Sequence, residues 1–411
     1  MDVRFRAYEP ERDRDAVVRI LREAGWLQML PEEAIEIGLQ AGRAWVAEVE
    51  GTAECFVHTV PGTLRHLEHD LAFSAVSAVA TSRVARRRGL ARRLTALAVA
   101  ADAADGAVVS GLGVFEQGYY DALGFGTGSY ELYVTLDPLE LRTERRPRIP
   151  RRLSAADWED AHAARLARRR GHGACNLFPP EVTRVAMLEG ANSFGLGYAD
   201  GPGGTLSHYL WCTPDEPEHG PYRVRWMVFQ NGDQFQELIA LLAGLGDQVH
   251  RVWIAEPPGV QLQDLVSRPL RDLHTTRGSP HPVGIQAVAH WQMRLCDLEG
   301  ALRDTHLSGE PVRFNLRLSD PISAYLGDDT PWRGIEGSYM VELGPECTAW
   351  PGYDPSLPTL AATVNAFTRL WLGVRPATGL ALTDALSAPP SLLSRLDRLL
   401  CLPSPRPDWE F

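Results

Sequence analysis

Apolar positions recur along this chain with two alternating periods. Val3 to Ala7 alternates and predicts a strand. Val17, Ile20, Leu21 and Ala24 fall at i, i+3, i+4 and i+7, one face of a helix that Asp13 or Asp15 is placed to cap. A second helix is predicted after Pro31, because proline suits a first helical turn. Residues 42–59 and 71–81, rich in Ala, Val, Phe and Trp, predict strands, 90–104 predicts an Ala/Leu helix, and 107–115 predicts a buried strand. Strands exchanging with helices in this way imply an α/β layer.

The dense Arg/Pro stretch 137–153 reads as a linker closing a first domain of residues 1–145. A second domain, 146–288, carries predicted helices near 155–170 and 233–245. Its predicted strands lie near 194–212, 222–229 and 249–255, before a loop-rich stretch at 257–284. The third, 289–411, opens with a predicted strand and helix over Trp291 to Leu302. It continues through strands near 311–319 and 334–349 to helices near 359–371 and 389–400. No short tandem repeat is present.

The composition narrows the chemistry. The 411 residues contain no lysine, so all 41 basic side chains are arginine. That excludes a Schiff base, a pyridoxal anchor and the lysine of a P-loop. The net charge of −11 argues against nucleic acid as partner and favours a cationic one. Six cysteines lie far apart with no C-x-x-C pair, which predicts no zinc or redox motif and suits a reducing cytoplasm. The charged start predicts no signal peptide, and no apolar run is long enough for a membrane span. His66 and His69 stand at i, i+3 with no third ligand in view, so they read as surface histidines, and no metal is expected.

One motif carries chemistry. Arg86, Gly89 and Ala91 form R-x-x-G-x-A between a predicted strand and a predicted helix. A helix N-terminus offers free N–H groups and the positive end of the dipole, a cradle for an anion. Small residues let a pyrophosphate approach the backbone, and arginines add forked donors. Arg168 to Gly173 matches the same pattern, but it follows a helix, so its glycines read as a helix cap. Downstream lies Tyr119-Tyr120-Asp121-Ala122-Leu123-Gly124-Phe125.

A strand, R-x-x-G-x-A, a helix, a strand and Y-x-x-L-G-F together resemble the GNAT acetyltransferases. The resemblance implies that acetyl-CoA lies between strands 71–81 and 107–115. Val79, Ala80 and Thr81 would pair with its pantetheine. Arg86, Arg87, Arg88, Gly89, Leu90, Ala91 and Arg92 would hold the pyrophosphate, and Phe115 and Glu116 would border it. Tyr120 would protonate the departing thiolate. Residues 71–81 contain no carboxylate to serve as base.

Over its full length the chain resembles the Eis family of acetyltransferases. The carriers are WQMRLCDLEGAL, the segment at 368–373 and the Glu-Phe ending. That family implies two tandem GNAT domains, the second degenerate, and a C-terminal domain like sterol carrier proteins. It also implies a hexamer, and a base supplied by the C-terminal carboxylate, here that of Phe411. The expected function is acetyl-CoA-dependent N-acetylation of a cationic small molecule such as an aminoglycoside. Trp26, Asp408 and Glu410 are candidates for the acceptor pocket. A protein-lysine acetyltransferase, or a non-catalytic CoA- or lipid-binding module, are the alternatives.

Overall fold

A computed structural model of the protein describes residues 2–26, 30–190, 192–268, 270 and 283–411. Much of the expected loop region 257–284 lies outside the described residues. The first layer consists of β1 (Val3–Ala7), α1 (Pro10–Glu23), α2 (Glu32–Leu39), β2 (Arg43–Val49), β3 (Thr52–His66), β4 (His69–Thr81), α3 (Leu90–Ala104) and β5 (Val109–Gly113). The stretch expected as one strand over 42–59 is a hairpin, β2–β3. Its turn residues Glu50 and Gly51 both take positive φ, 51° and 89°, the twist that a two-residue hairpin turn needs. Helix α1 starts at Pro10, so Asp13 lies inside the first turn and not ahead of it. Its carboxylate accepts the Glu9 N–H at 2.9 Å and two bonds from Arg6 at 2.6 and 2.7 Å.

The sheet runs β1-β2-β3-β4-β5, and only β4 and β5 are parallel in this row. The next strand is Trp291–Leu295, antiparallel to β5, with Gly126–Thr127 on its other side. The strand expected to open the third unit thus completes the first sheet. All five of its residues are buried, which suits a central strand covered on both faces. In exchange Glu131–Leu136, which precedes the Arg/Pro stretch, pairs in the second sheet with Val252–Ala255 and Gly284–Val288.

The second sheet repeats the strand, helix, parallel-strand unit of the first. Tyr222–Val228 leads through the helix Gly232–Gly244 to the parallel Val252–Ala255. Here the helix is capped by Asn231, whose side chain accepts the Gln234 N–H at 3.0 Å, and no arginine-glycine loop precedes it. Its first turn is therefore already served by the chain itself. The third sheet has Val312–Ser319 parallel to Thr359–Thr363. Residues 359–363, expected to be helical, alternate in burial as a strand, and the helix begins at Val364. One apolar core joins the first and third units. It runs from Leu64, Leu71 and Phe73 through Met293 and Leu295 to Phe314, Phe367 and Trp371.

Candidate active site

Strand β4 pairs with β5 at four positions only, from Phe73↔Val109 to Val76↔Leu112. At the next residue it bulges: Val76 faces Thr59, Ala78 faces His58, and Ser77 stands between them unpaired. A bulge bends its strand, so β4 leaves β5 at this point. Ala78 to Thr81 keep β3 on one side and have no β5 partner on the other. Backbone groups along such an edge require partners, and an extended ligand with amides in series supplies them. Val79, Ala80 and Thr81 lie on this free edge.

The loop after β4 is fixed at its start by Ser82 N–H to the Glu54 carbonyl at 2.9 Å and Arg83 N–H to Glu23 at 2.6 Å. Arg86, Arg87, Arg88 and Gly89 follow and are exposed. Gly89 caps α3 with φ 75° and, lacking a side chain, makes no cap hydrogen bond to the first-turn N–H groups. The N–H groups of the first turn therefore face outward, as anion binding requires. Arg87 is held at φ 60°, a conformation that costs of order 1–3 kcal/mol in a residue with a side chain and collects at functional sites. Leu90 is buried in the core beneath. Arg92 departs from the expected set. Its guanidinium lies over the rings of Tyr119 at 5.0 Å and Tyr325 at 5.8 Å, away from the exposed arginines. Phe115, 96% exposed, and Glu116 lie uncovered on the segment leaving β5.

Tyr120 opens a single turn, Tyr120–Leu123, and is buried in the cluster that holds Leu112 of β5 and Leu90 of α3. Its ring stands edge-on to Tyr119 at 4.9 Å and to Phe125 at 6.2 Å. Burial, with smaller contributions from Tyr119 and Cys55, pushes its phenol well above the ordinary range, so it stays protonated at neutral pH. Residues from outside the motif hold this turn. The fully buried Arg294 donates to the Leu123 carbonyl and pairs with Asp320 at 2.6 Å. Gln292 donates to Asp121 at 2.9 Å, and Asn365 to the carbonyls of Asp121 and Phe125 at 2.9 and 3.0 Å. Gly124 takes φ 82°, and a Cβ there would come within 2.9 Å of the Arg294 guanidinium. None of these supports carries a local sequence signal. They are polar residues inside apolar runs, and only the pairing of distant strands reveals them.

The last residues run from the second layer into the first. Trp409, 7% exposed, lies under the guanidinium of Arg165 at 3.8 Å and near that of Arg168 at 5.2 Å. Arg168 also binds the Asp408 carboxylate at 2.7 Å and its carbonyl at 2.8 Å. The Cys175 N–H holds the Pro407 carbonyl at 2.7 Å, and Arg225 binds Glu410 at 2.6 Å. The arginine run at 168–170 is thus no phosphate loop. Nor do its glycines cap a helix, since that helix ends at Leu166, several residues earlier. Arg168 is a buried clamp for the tail. Phe411 ends beside the opening between β4 and β5. Its ring is 5.6 Å from that of Phe73, and a Cβ on Gly113 would meet its backbone oxygen at 3.0 Å.

A cavity of about 350 Å³ lies between α1, α2, β3, β4, the helix Glu181–Leu188 and the tail. Ser77 and Ala78 of the bulge line it, with His58, Glu410 and Phe411. His58 Nδ1 is 2.7 Å from Ser77 Oγ, while its buried Nε2 has no protein partner. Burial lowers the imidazole to about 4, so it is neutral. Of the candidate acceptor residues, Trp26 and Glu410 line this cavity; Asp408 instead holds Arg168.

His66 is fully buried, stacked on Trp371 at 4.4 Å, and so is no surface histidine. Among the described residues one other polar cluster, Asp200, His208 and Glu237, has ligand-like spacing. Arg148 bridges its two carboxylates at 2.6 and 2.7 Å, which already neutralises them. All six cysteines are unpaired. No helix among the described residues is long and apolar enough to cross a membrane.

Residues 5–128 match the family described as the acetyltransferase (GNAT) domain. No curated protein sequence matches the chain significantly. Solved structures share the fold along the whole length. A probable N-acyltransferase of Enterococcus faecalis aligns at 17% identity and TM-score 0.80, covering 100% of both chains. A GCN5-related N-acetyltransferase of Kribbella flavida aligns at 16% and 0.74, covering 100% of this chain and 98% of its own. The Eis1 protein of Mycobacterium abscessus aligns at 19% and 0.77, again over 100% of both. The parted strands, the uncapped helix behind an arginine-glycine loop and the family match over 5–128 converge: the first domain is a GNAT acetyltransferase domain, and the protein is an N-acetyltransferase that uses acetyl-CoA.

Proposed function

We propose that the protein transfers the acetyl group of acetyl-CoA directly to a primary amine of a small cationic molecule. The observation that carries this reading is the opening of the sheet at Ser77. It has an anion-binding helix end on one side and Phe411 on the other. In this reading the amides of pantetheine bond the free edge at Val79 to Thr81. The pyrophosphate takes the N–H groups of the first turn of α3, with Arg86 to Arg88 as counter-charge. The carboxylate of Phe411 accepts a proton from the acceptor ammonium. The free amine forms a bond to the thioester carbonyl carbon, the carbon–sulfur bond breaks, Tyr120 gives its proton to the departing sulfur, and the proton shed by the acylated nitrogen restores the Tyr120 phenol. Burial of Tyr120 suits this role, because a phenol that holds its proton at neutral pH is ready to donate it.

The test is thiol release with an amine panel, beside calorimetric titration of CoA. Tyr120→Phe and a chain ending at Glu410 should each lose at least about a hundredfold in kcat, the span of general acid–base catalysis, and still bind CoA. Full activity in both variants would overturn the mechanism. CoA binding by the wild type without transfer to any amine would favour a binding module.

A further inference from the structure

The second sheet opens as the first does. Tyr222–Val228 pairs with Val252–Ala255 at three positions only, from Tyr222↔Val252 to Val224↔Ile254. Beyond them Trp226, Met227 and Val228 keep the strand His208–Pro214 on one side and have no partner in Val252–Ala255 on the other. The chain's own C-terminus lies in this opening. Arg406, Asp408, Trp409 and Glu410 line it with residues 224–229 and 253–258, leaving a cavity of about 100 Å³. The tail backbone is bonded at consecutive residues. The Arg406 N–H donates to the His172 carbonyl at 3.0 Å, the Pro407 carbonyl accepts the Cys175 N–H at 2.7 Å, and the Asp408 carbonyl accepts Arg168 at 2.8 Å. Its charged side chains are met in the same groove. Arg406 donates to the Glu256 carbonyl at 2.6 Å, and Arg168 and Arg225 bind the carboxylates of Asp408 and Glu410. The buried Arg165 guanidinium has the Trp226 ring at 4.0 Å on one side and the Trp409 ring at 3.8 Å. A desolvated cation is stabilised by such faces, and here the tail supplies one of the two. Pro403, Pro405 and Pro407 alternate along the segment, which favours an extended chain before it binds and lowers the cost of ordering it. Main-chain bonds, one aromatic anchor and paired charges beside it are the features of a peptide groove.

We propose that the opened second sheet is a receptor for an acidic, tryptophan-bearing peptide, that its occupant is the chain's own segment 405–411, and that the two need not be covalently joined. Arg165, Arg168 and Arg225 are then positioning residues. They act on the Phe411 carboxylate through Trp409, Asp408 and Glu410. That catalytic consequence rests on the transferase reading above; the receptor itself does not.

Pro403 and Ser404 are exposed, so a protease site inserted between them lets the tail be cut in the folded full-length protein. Turnover is followed by thiol release, and binding by the anisotropy of a labelled peptide of residues 404–411. Turnover should survive the cut, fall at least about tenfold once the cut peptide is dialysed away, and return when it is added back. Peptides carrying Trp409→Ala or Asp408→Ala should bind at least about tenfold more weakly, the loss of one cation–π contact or one charge-assisted bond. These changes sit on the peptide and leave the receptor's fold untouched. Nicked Arg225→Met should need at least about tenfold more peptide for half-maximal turnover, a shift that a general loss of stability does not give. In the uncut chain, Asp408→Ala should speed amide exchange at Cys175 and Arg406 and leave that of the helix Leu90–Ala104 unchanged. A cut tail that leaves and does not rebind, or unchanged exchange at Cys175 in the uncut variant, overturns the proposal. A peptide that rebinds without restoring turnover keeps the receptor and overturns the role given to the Phe411 carboxylate. A second equivalent of CoA bound by the peptide-free protein would make the opening a cofactor cleft and overturn the receptor.

Discussion

The ion pair of Arg294 and Asp320 offers a sharp test of how the turn bearing Tyr120 is held. Both side chains are 0% exposed, and every polar atom that Asp320 offers is engaged. It accepts Arg294 at 2.6 Å, the Ile335 N–H at 3.0 Å and the Ile322 N–H at 3.2 Å. Asp320→Ala leaves the guanidinium buried without a counter-ion, which costs about 3–5 kcal/mol. That is roughly a hundred- to several-thousand-fold in the local opening equilibrium. Hydrogen exchange at residues 118–127 and 291–295 should accelerate by about that factor, and kcat should fall as Tyr120 loses its fixed position. The double variant Arg294→Met, Asp320→Leu replaces the pair with apolar volume, a change that is often neutral for stability. It should restore protection in the strand Trp291–Leu295 but not turnover, since the Leu123 carbonyl has lost its donor. A single variant with unchanged exchange would refute the argument. So would a double variant with full kcat, because the pair would then be stabilising the fold without positioning the turn.

Other outcomes follow from the same geometry. Trp409→Ala removes the ring beneath Arg165, and should free the last residues. Carboxypeptidase should then trim the variant but not the wild type, with kcat reduced at least tenfold and CoA affinity unchanged. Gly113→Ala adds a methyl within 3.0 Å of the Phe411 oxygen and should lower kcat by displacing the tail, with CoA affinity again unchanged. His58 is held near 4 in the folded protein against an ordinary 6.5. The unfolded chain therefore takes up a proton first as pH falls. Stability present above pH 6.5 should decline by up to about 3 kcal/mol between 6.5 and 4. His58→Gln should show a shallower decline over that window in denaturant titrations.

The local code of this chain was readable where a single segment carries its own physical signature. The helix Leu90–Ala104 and the strand Val3–Ala7 lie where the apolar periodicity predicts them. The order of strand, arginine-glycine turn and helix was legible too, because the three segments are adjacent in sequence and each carries its own local signature. The hairpin turn at Glu50–Gly51 and the strand Thr359–Thr363 were not. Short apolar runs rich in alanine fit more than one conformation until neighbours choose between them.

What tertiary structure alone decided is which distant segments meet. Trp291–Leu295 reads as an opening strand, but β5 has a vacant edge and a strand apolar on both faces fills it. Arg294 and Gln292 arrive with it and brace the Tyr120 turn. Arg168 opens a segment that matches the phosphate-loop pattern but reads as a helix cap, yet burial beside Asp408 makes it a clamp for the tail. The residue type specified a guanidinium; its surroundings decided whether that charge faces water, a carboxylate or an aromatic ring. With no lysine in the chain, arginine does all of these tasks, and only the fold tells them apart.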